Sequence, residues 1–142
     1  MKIIVVGDGK VGLTLTEQLS KEEHDIVVID KNPTVLQNSQ ETFDVMVVPG
    51  NGASRQVLLE AGAQDADLVI AATSADEINL LCCLTAKKLG CTHTIARVRN
   101  PEYAGQLVFL KDELGLSMVI NPEATAAREM FQILQFPSFY NN

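Results

Sequence analysis

Residues 2–12 read Lys2-Ile3-Ile4-Val5-Val6-Gly7-Asp8-Gly9-Lys10-Val11-Gly12, an apolar and largely β-branched run that meets a Gly-x-Gly-x-x-Gly loop. A helical stretch follows. A second apolar run, Ile26-Val27-Val28-Ile29, then ends on Asp30, 18 residues beyond Gly12. Three spaced glycines alone are a weak signal. Set where a strand turns into a helix, with an acid closing the next strand, they form a nucleotide-binding fingerprint.

Each part has a physical task. Gly7 permits the tight strand-to-helix turn, Gly9 leaves no Cβ between backbone and a pyrophosphate, and Gly12 lets the helix pack close to the strand. Phosphates would meet the unpaired N–H groups of the helix start, whose dipole favours an anion. The Asp30 carboxylate is suited to accept from both ribose hydroxyls of an adenosine and to repel a 2′-phosphate. NAD or an adenine nucleotide therefore fits better than NADP, with Lys31 weakening that exclusion slightly.

The same alternation continues along the chain. Strands are expected at Lys2–Val6, Asp25–Ile29, Val45–Val48, Leu68–Ala72, Thr94–Val98 and Ser117–Ile120, all short and apolar. Helices are expected at Lys10–Lys21, at Asn32-Pro33 to about Phe43, and at Ser54–Ala61 closed by Gly62. Ser74-Ala75-Asp76-Glu77 reads as a capping box for a helix ending at Leu89, with Gly90 past its end. A less regular helix covers Pro101–Leu114, and Pro122 introduces a last one to about Gln135. Six strands alternating with helices imply an α/β, Rossmann-like, doubly wound parallel sheet in a single domain over residues 1–142, of strand order 3-2-1-4-5-6.

Composition narrows the function classes. At 142 residues there is room for one core and no second domain. Eleven basic against 18 acidic residues give a net charge of −7 without a Lys/Arg cluster, which argues against a nucleic-acid or anionic-membrane partner. Three cysteines, two of them adjacent at Cys82 and Cys83, are no disulfide framework and read as reduced thiols of a cytoplasmic protein. Met1 runs directly into the first strand, so no signal peptide is expected, and no apolar run reaches the roughly 18 residues that span a bilayer.

In an open parallel sheet, ligands bind beyond the carboxyl ends of the strands. Asn51, in Gly50-Asn51-Gly52 after the third strand, either approaches the adenine or only makes a turn. Thr73 and Ser74 after the fourth strand offer hydroxyls to a distal phosphate or second ribose, although Ser74 also has a structural task as helix cap. Arg97 and Arg99, two apart on one strand face, either bring a guanidinium to the phosphates or form ion pairs within an acidic chain. Asp8 puts a carboxylate in the phosphate loop, with Lys10 the nearest offset in sequence. His24 and His93 fall at the opposite sheet edge, Cys82 and Cys83 lie inside an apolar helix, and neither zinc-ligand spacing nor a Gly-x-x-x-x-Gly-Lys-Ser/Thr loop is present.

These residues together closely resemble the nucleotide-binding domain of potassium-transport regulators of the TrkA/KtrA or RCK (KTN) family. The resemblance spans essentially the whole chain. Beside the glycine loop it rests on Val28-Ile29-Asp30, Val48-Pro49-Gly50-Asn51-Gly52, Leu59-Glu60-Ala61-Gly62-Ala63-Gln64-Asp65-Ala66-Asp67, Ala72-Thr73-Ser74-Ala75-Asp76-Glu77-Ile78-Asn79 and Ile95-Ala96-Arg97-Val98-Arg99. It implies nucleotide contacts at Gly7, Asp8, Gly9, Lys10, Val11, Asp30, Asn51, Thr73, Ser74 and Arg97. NAD(H) is the first ligand it implies, and ATP, ADP or AMP the next. Asp8 departs from the small residue common at its position. The resemblance also implies a cytoplasmic subunit, peripheral to the membrane through a membrane-embedded potassium transporter or channel, without catalysis of its own.

Four of the seven aromatic residues, Phe131, Phe136, Phe139 and Tyr140, lie in the last twelve positions. An apolar segment of this kind is expected to pack on something: it closes this domain's own core, swaps onto a sister subunit in a homodimer or larger homo-oligomer, or leads into a further domain, with the sister subunit favoured slightly. The contrasting function class is a small NAD-dependent oxidoreductase or its cofactor-binding fragment. That class requires a substrate pocket and a placed acid or base, and the six strands are expected to leave no residues for either.

Overall fold

The computed structural model describes residues 1–116 and 118–120. Strands β1 (Lys2–Val6), β2 (Asp25–Asp30), β3 (Met46–Pro49), β4 (Leu68–Ala71), β5 (His93–Arg97) and β6 (Met118–Ile120) alternate with helices α1 (Lys10–Ser20), α2 (Pro33–Thr42), α3 (Arg55–Ala61), α4 (Asp76–Leu89) and α5 (Pro101–Leu114). The strands form one parallel sheet in the order β3-β2-β1-β4-β5-β6. Winding reverses at β1, which pairs with β2 on one side and β4 on the other.

Side-chain alternation sorts the apolar residues onto two faces. Ile4, Val6, Val27, Ile29, Val69 and Ala71 pack with Leu58 of α3, Cys82, Cys83 and Ala86 of α4, and Leu107 of α5. Ile3, Val5, Ile26, Val28, Leu68 and Ile70 pack with Leu15 and Leu19 of α1 and Leu36 of α2. Coverage on both sides explains why β1 and β2 read as continuous apolar runs with no polar alternation. All three cysteines are buried as free thiols. Burial pushes Cys82 up to about 12 and Cys91 up to about 11, so they remain protonated at neutral pH.

Local signals behave unevenly. Asn32 caps α2 as its sequence suggests, its side chain accepting from the Thr34 and Val35 N–H groups ahead of Pro33. Ser54 likewise caps α3, and Gly62 ends it in the left-handed region at φ 87°. The capping box expected at Ser74 does not form. Helix α4 starts at Asp76 with Ala75 as its cap residue and no side-chain cap bond. The residues of that box are engaged elsewhere: Glu77 accepts from the Tyr103 hydroxyl, the Ser74 carbonyl accepts from Arg99, and Asp76 holds the backbone after β5. Strand limits also move by one residue: β3 and β5 shift at both ends to Met46–Pro49 and His93–Arg97, β2 gains Asp30, and β4 stops at Ala71. Pro49 is accommodated because β3 is an edge strand. The helix expected from Pro122, and the aromatic segment ending at Tyr140, lie outside the described residues.

Candidate nucleotide site at the carboxyl edge of the sheet

A cavity of about 870 Å³ opens at the carboxyl ends of the strands, beside the reversal at β1. Its floor is Val6, Gly7, Gly9, Lys10 and Val11, with Thr14 and Gln18 of α1 along one wall. Ile29, Asp30, Lys31 and the Gly50-Asn51-Gly52 turn lie on the β2 side. Ala72 to Ala75, Ile78 and Arg97 lie on the β4 side. Nine of the ten sequence-predicted positions therefore meet in one cleft: Gly7, Gly9, Lys10, Val11, Asp30, Asn51, Thr73, Ser74 and Arg97.

Helix α1 presents its start to this cleft without a side-chain cap, because Gly9 occupies the cap position and the first turn carries no acid. Its leading N–H groups thus form an anion-favouring end. Gly7 turns the chain with φ 99°, a conformation that suits glycine. Asp30 is fixed beside it by two backbone donors. Asp8 N–H gives to Oδ2 and Asn32 N–H to Oδ1, both at 2.8 Å. Each oxygen keeps a further lone pair for another donor. Asn51 folds its side-chain oxygen back onto the Ala53 N–H, forming the turn that the sequence left as one of two possibilities, while the residue still lines the cleft.

Asp8, the tenth position, is not among the cleft-lining residues. Its side chain is only 3% exposed and accepts from the Ser39 hydroxyl of α2, while its second oxygen is buried with no partner among the described residues. Burial raises the Asp8 pKa above its ordinary 3.8; the Ser39 bond opposes this, and the Asp30 charge adds to it. The fold therefore favours the protonated form. Below the ordinary value both folded and unfolded chains are neutral at this position, and above the raised value the folded state carries the full penalty of the charge. Asp8→Asn should thus stabilise the free protein at neutral pH, because it removes the charge that burial disfavours. The gain should shrink as pH falls toward 4, as read by denaturant midpoints across pH. A variant less stable than wild type at neutral pH would contradict this assignment.

On the other side, Arg97 directs Nη1 at the Thr73 carbonyl, 3.2 Å away. Burial and neighbouring Arg99 lower its pKa, Asp76 opposes this, and the guanidinium stays charged. Among the described residues no carboxylate lies within salt-bridge distance of it. Arg99 is not a strand neighbour of Arg97 as its spacing suggested. It lies past β5, gives its Nη2 hydrogen to the Ser74 carbonyl at 2.9 Å, and has its backbone N–H held by Asp76.

Two supporting residues lie behind the cleft lining and are not ligand-facing groups themselves. Buried Asn79 bonds Thr73 and the Arg97 carbonyl, and buried Asp76 accepts the N–H groups of Arg99 and Asn100. Their spacing of three, with Cys83 four further on, puts them on one face of α4. That spacing within an otherwise apolar face was the available signal. No histidine or cysteine lines the cleft. His24 lies before β2 and His93 is the first residue of β5, both at the amino edge of the sheet. Among the described residues, no cluster of His, Cys, Asp or Glu is suited to hold a metal ion, and no helix is long and apolar enough to cross a membrane.

The Trk system potassium uptake protein TrkA of Haemophilus influenzae is 41% identical over 140 residues, covering 96% of this chain and 31% of that protein. A TrkA homologue of Archaeoglobus fulgidus is 36% identical over 137 residues, covering 96% of this chain and 31% of its own length. This chain thus spans about a third of the curated relatives it matches. Among solved structures, the GsuK channel bound to NAD is 27% identical with a TM-score of 0.70, covering 84% of this chain and 21% of that one. The family model described as the TrkA-N domain matches residues 3–122, most of the sequence, and on that match the chain belongs to the TrkA-N domain family.

Proposed function

We propose that this chain is the nucleotide-sensing domain of a regulator of membrane potassium transport. The observation that carries the reading is the uncapped start of α1 facing the same cleft as Asp30 and Arg97. Gly9 leaves open space where its Cβ would stand, and Asp30 retains lone pairs for a ribose. These features fit an adenosine diphosphate moiety, and a cleft reaching both sides of β1 has room for the second half of NAD(H). NAD(H) is therefore the ligand we place first, with ADP, ATP or AMP next. The relatives named as Trk potassium uptake proteins support the transport role, and the GsuK structures bound to NAD and to ADP support the ligand class.

In this proposal the protein does no chemistry. The cleft lining offers no histidine or cysteine as acid, base or nucleophile, and Asp30 is its single carboxylate. Nucleotide instead biases two arrangements of a homodimer or larger homo-oligomer on the cytoplasmic face of a potassium transporter or channel. Such a bias needs unequal affinity for the two arrangements, about 5.5 kcal/mol to move a population from 1:99 to 99:1.

A thermal-shift panel of NAD, NADH, NADPH, ATP, ADP and AMP tests the ligand. NAD(H) and ADP should raise the midpoint by several degrees at about 100-fold their Kd, and NADPH should lag because Asp30 disfavours its 2′-phosphate. Flat midpoints across all six compounds would remove the sensing role. Hydride transfer to a small substrate, abolished by a single cleft substitution, would replace it with an oxidoreductase.

A further inference from the structure

Asn79 has no exposed surface and does not itself line the cleft, but it bonds two residues that do, Thr73 and Arg97. Its amide orientation follows from its partners. Oδ1 receives the Thr73 backbone N–H at 2.9 Å, a group that can only donate. Nδ2 gives to the carbonyls of Thr73 at 3.0 Å and Arg97 at 2.8 Å, groups that can only accept. The Thr73 hydroxyl has two acceptors within reach, the same Oδ1 at 2.7 Å and the Ala75 carbonyl at 3.3 Å, and the shorter contact takes its one hydrogen, so it gives that hydrogen to Asn79. Toward the cleft it has only lone pairs, one of them engaged weakly by the Ala75 N–H at 3.3 Å.

We propose that Asn79 is a positioning residue that fixes Thr73 as a hydrogen-bond acceptor, so that this side of the cleft selects a ligand group that donates, such as a sugar hydroxyl, over a bare phosphate. The inference rests on the nucleotide reading above and adds a polarity to its distal half. A hydroxyl free to rotate would serve a phosphate oxygen equally well. One whose hydrogen is committed to a buried amide presents only electron pairs to the phosphate.

Two probes separate these cases: ADP-ribose, whose distal group is a sugar, and ADP, whose distal group is a phosphate. Calorimetric affinities for both should be measured in wild type, Thr73→Val, Asn79→Ala and the double variant. The wild-type preference for ADP-ribose should fall about three- to tenfold in each single variant. In the double variant it should fall no further than in Thr73→Val alone, because Asn79 acts through the Thr73 hydroxyl. Multiplying effects, or an Asn79→Ala protein with a lowered midpoint and an unchanged preference, would overturn the proposal. Should Asn79→Ala not fold, Thr73→Ser must keep the preference that Thr73→Val loses, and equal values in the two would overturn it. Wild type binding ADP with no preference for ADP-ribose sinks this inference alone, and binding of neither probe sinks the nucleotide reading with it.

Discussion

Gly9→Ala should fold as well as wild type and lose nucleotide binding, whereas Gly12→Ala, three residues on, should fail to fold. The contrast follows from what a methyl group would meet. At Gly9 an added Cβ has no atom within 4 Å, and φ is −78°, which alanine adopts without strain. Alanine is a poorer cap residue than glycine by about 0.5–1 kcal/mol, and the reduced freedom of its unfolded chain offsets this by a similar amount. The free protein should therefore melt within a few degrees of wild type. That open space is also where a diphosphate would approach the start of α1. The methyl group should cost at least about tenfold in affinity for NAD and ADP alike.

At Gly12 an added Cβ would fall on the carbonyl oxygen of Gly7, with the Gly7 carbonyl carbon also in clash. Neither is the end of a flexible side chain. Relief requires α1 to move away from β1, opening the contacts of Leu15 and Leu19 with the sheet. Overpacking of this kind against backbone costs several kcal/mol, most of the stability of a domain this size. Circular dichroism and thermal melts of the two variants, followed by calorimetry on Gly9→Ala, check both halves. A stable Gly12→Ala protein would contradict the close packing of helix on strand, and a Gly9→Ala protein with wild-type affinity would place the phosphates elsewhere.

This glycine loop was legible from sequence because each of its constraints is local. The turn, the close approach and the acid at Asp30 are set within the first thirty residues, along one strand–helix–strand unit. The alternation of short apolar runs with helical stretches was equally legible, since a parallel strand covered on both faces leaves no other pattern. Ser74 and Asp8 were misjudged for the opposite reason. Ser74 carries the local signature of a cap, but the loop after β5 draws its carbonyl toward Arg99, and Tyr103 engages Glu77 across a separation of 26 residues. Asp8 was read as facing the phosphates because its neighbours do. Its partner is Ser39, 31 residues away on α2, and no spacing in the sequence announces that bond. Asn79 lies between these cases. Its position on the face of α4 was readable, but the bond that makes it matter to a ligand depends on three chain segments meeting.

Asp30→Ala should weaken every adenosine-containing ligand by about ten- to a hundredfold, the worth of a charge-assisted hydrogen bond to a ribose. The carboxylate is held rigidly, so its absence cannot be made good by a neighbour: the Asp8 and Asn32 N–H groups that orient it are themselves donors, like the ribose hydroxyls they would then face. The same two donors would lose their partner, which should lower the midpoint of the free protein by a few degrees. A second consequence runs the other way. The Asp30 charge is one of the causes raising the Asp8 pKa, so its removal should ease ionisation of Asp8 and shift the pH dependence of stability toward the ordinary carboxylate range. Discrimination between NADH and NADPH should narrow as well, because repulsion of the 2′-phosphate goes with the acid while Lys31 remains in the cleft. Asp30→Asn separates these effects, since it keeps one acceptor oxygen and the side-chain shape but no charge. Its amide nitrogen would face one of the two backbone donors that the carboxylate satisfies, so it should keep only part of the stability, lose an intermediate share of affinity, and lose the same selectivity. Calorimetry with NADH, NADPH and ADP on both variants reads all three quantities; Asp30→Ala binding NADH within twofold of wild type would take Asp30 out of the ribose site and leave the proposed ligand pose without its second anchor.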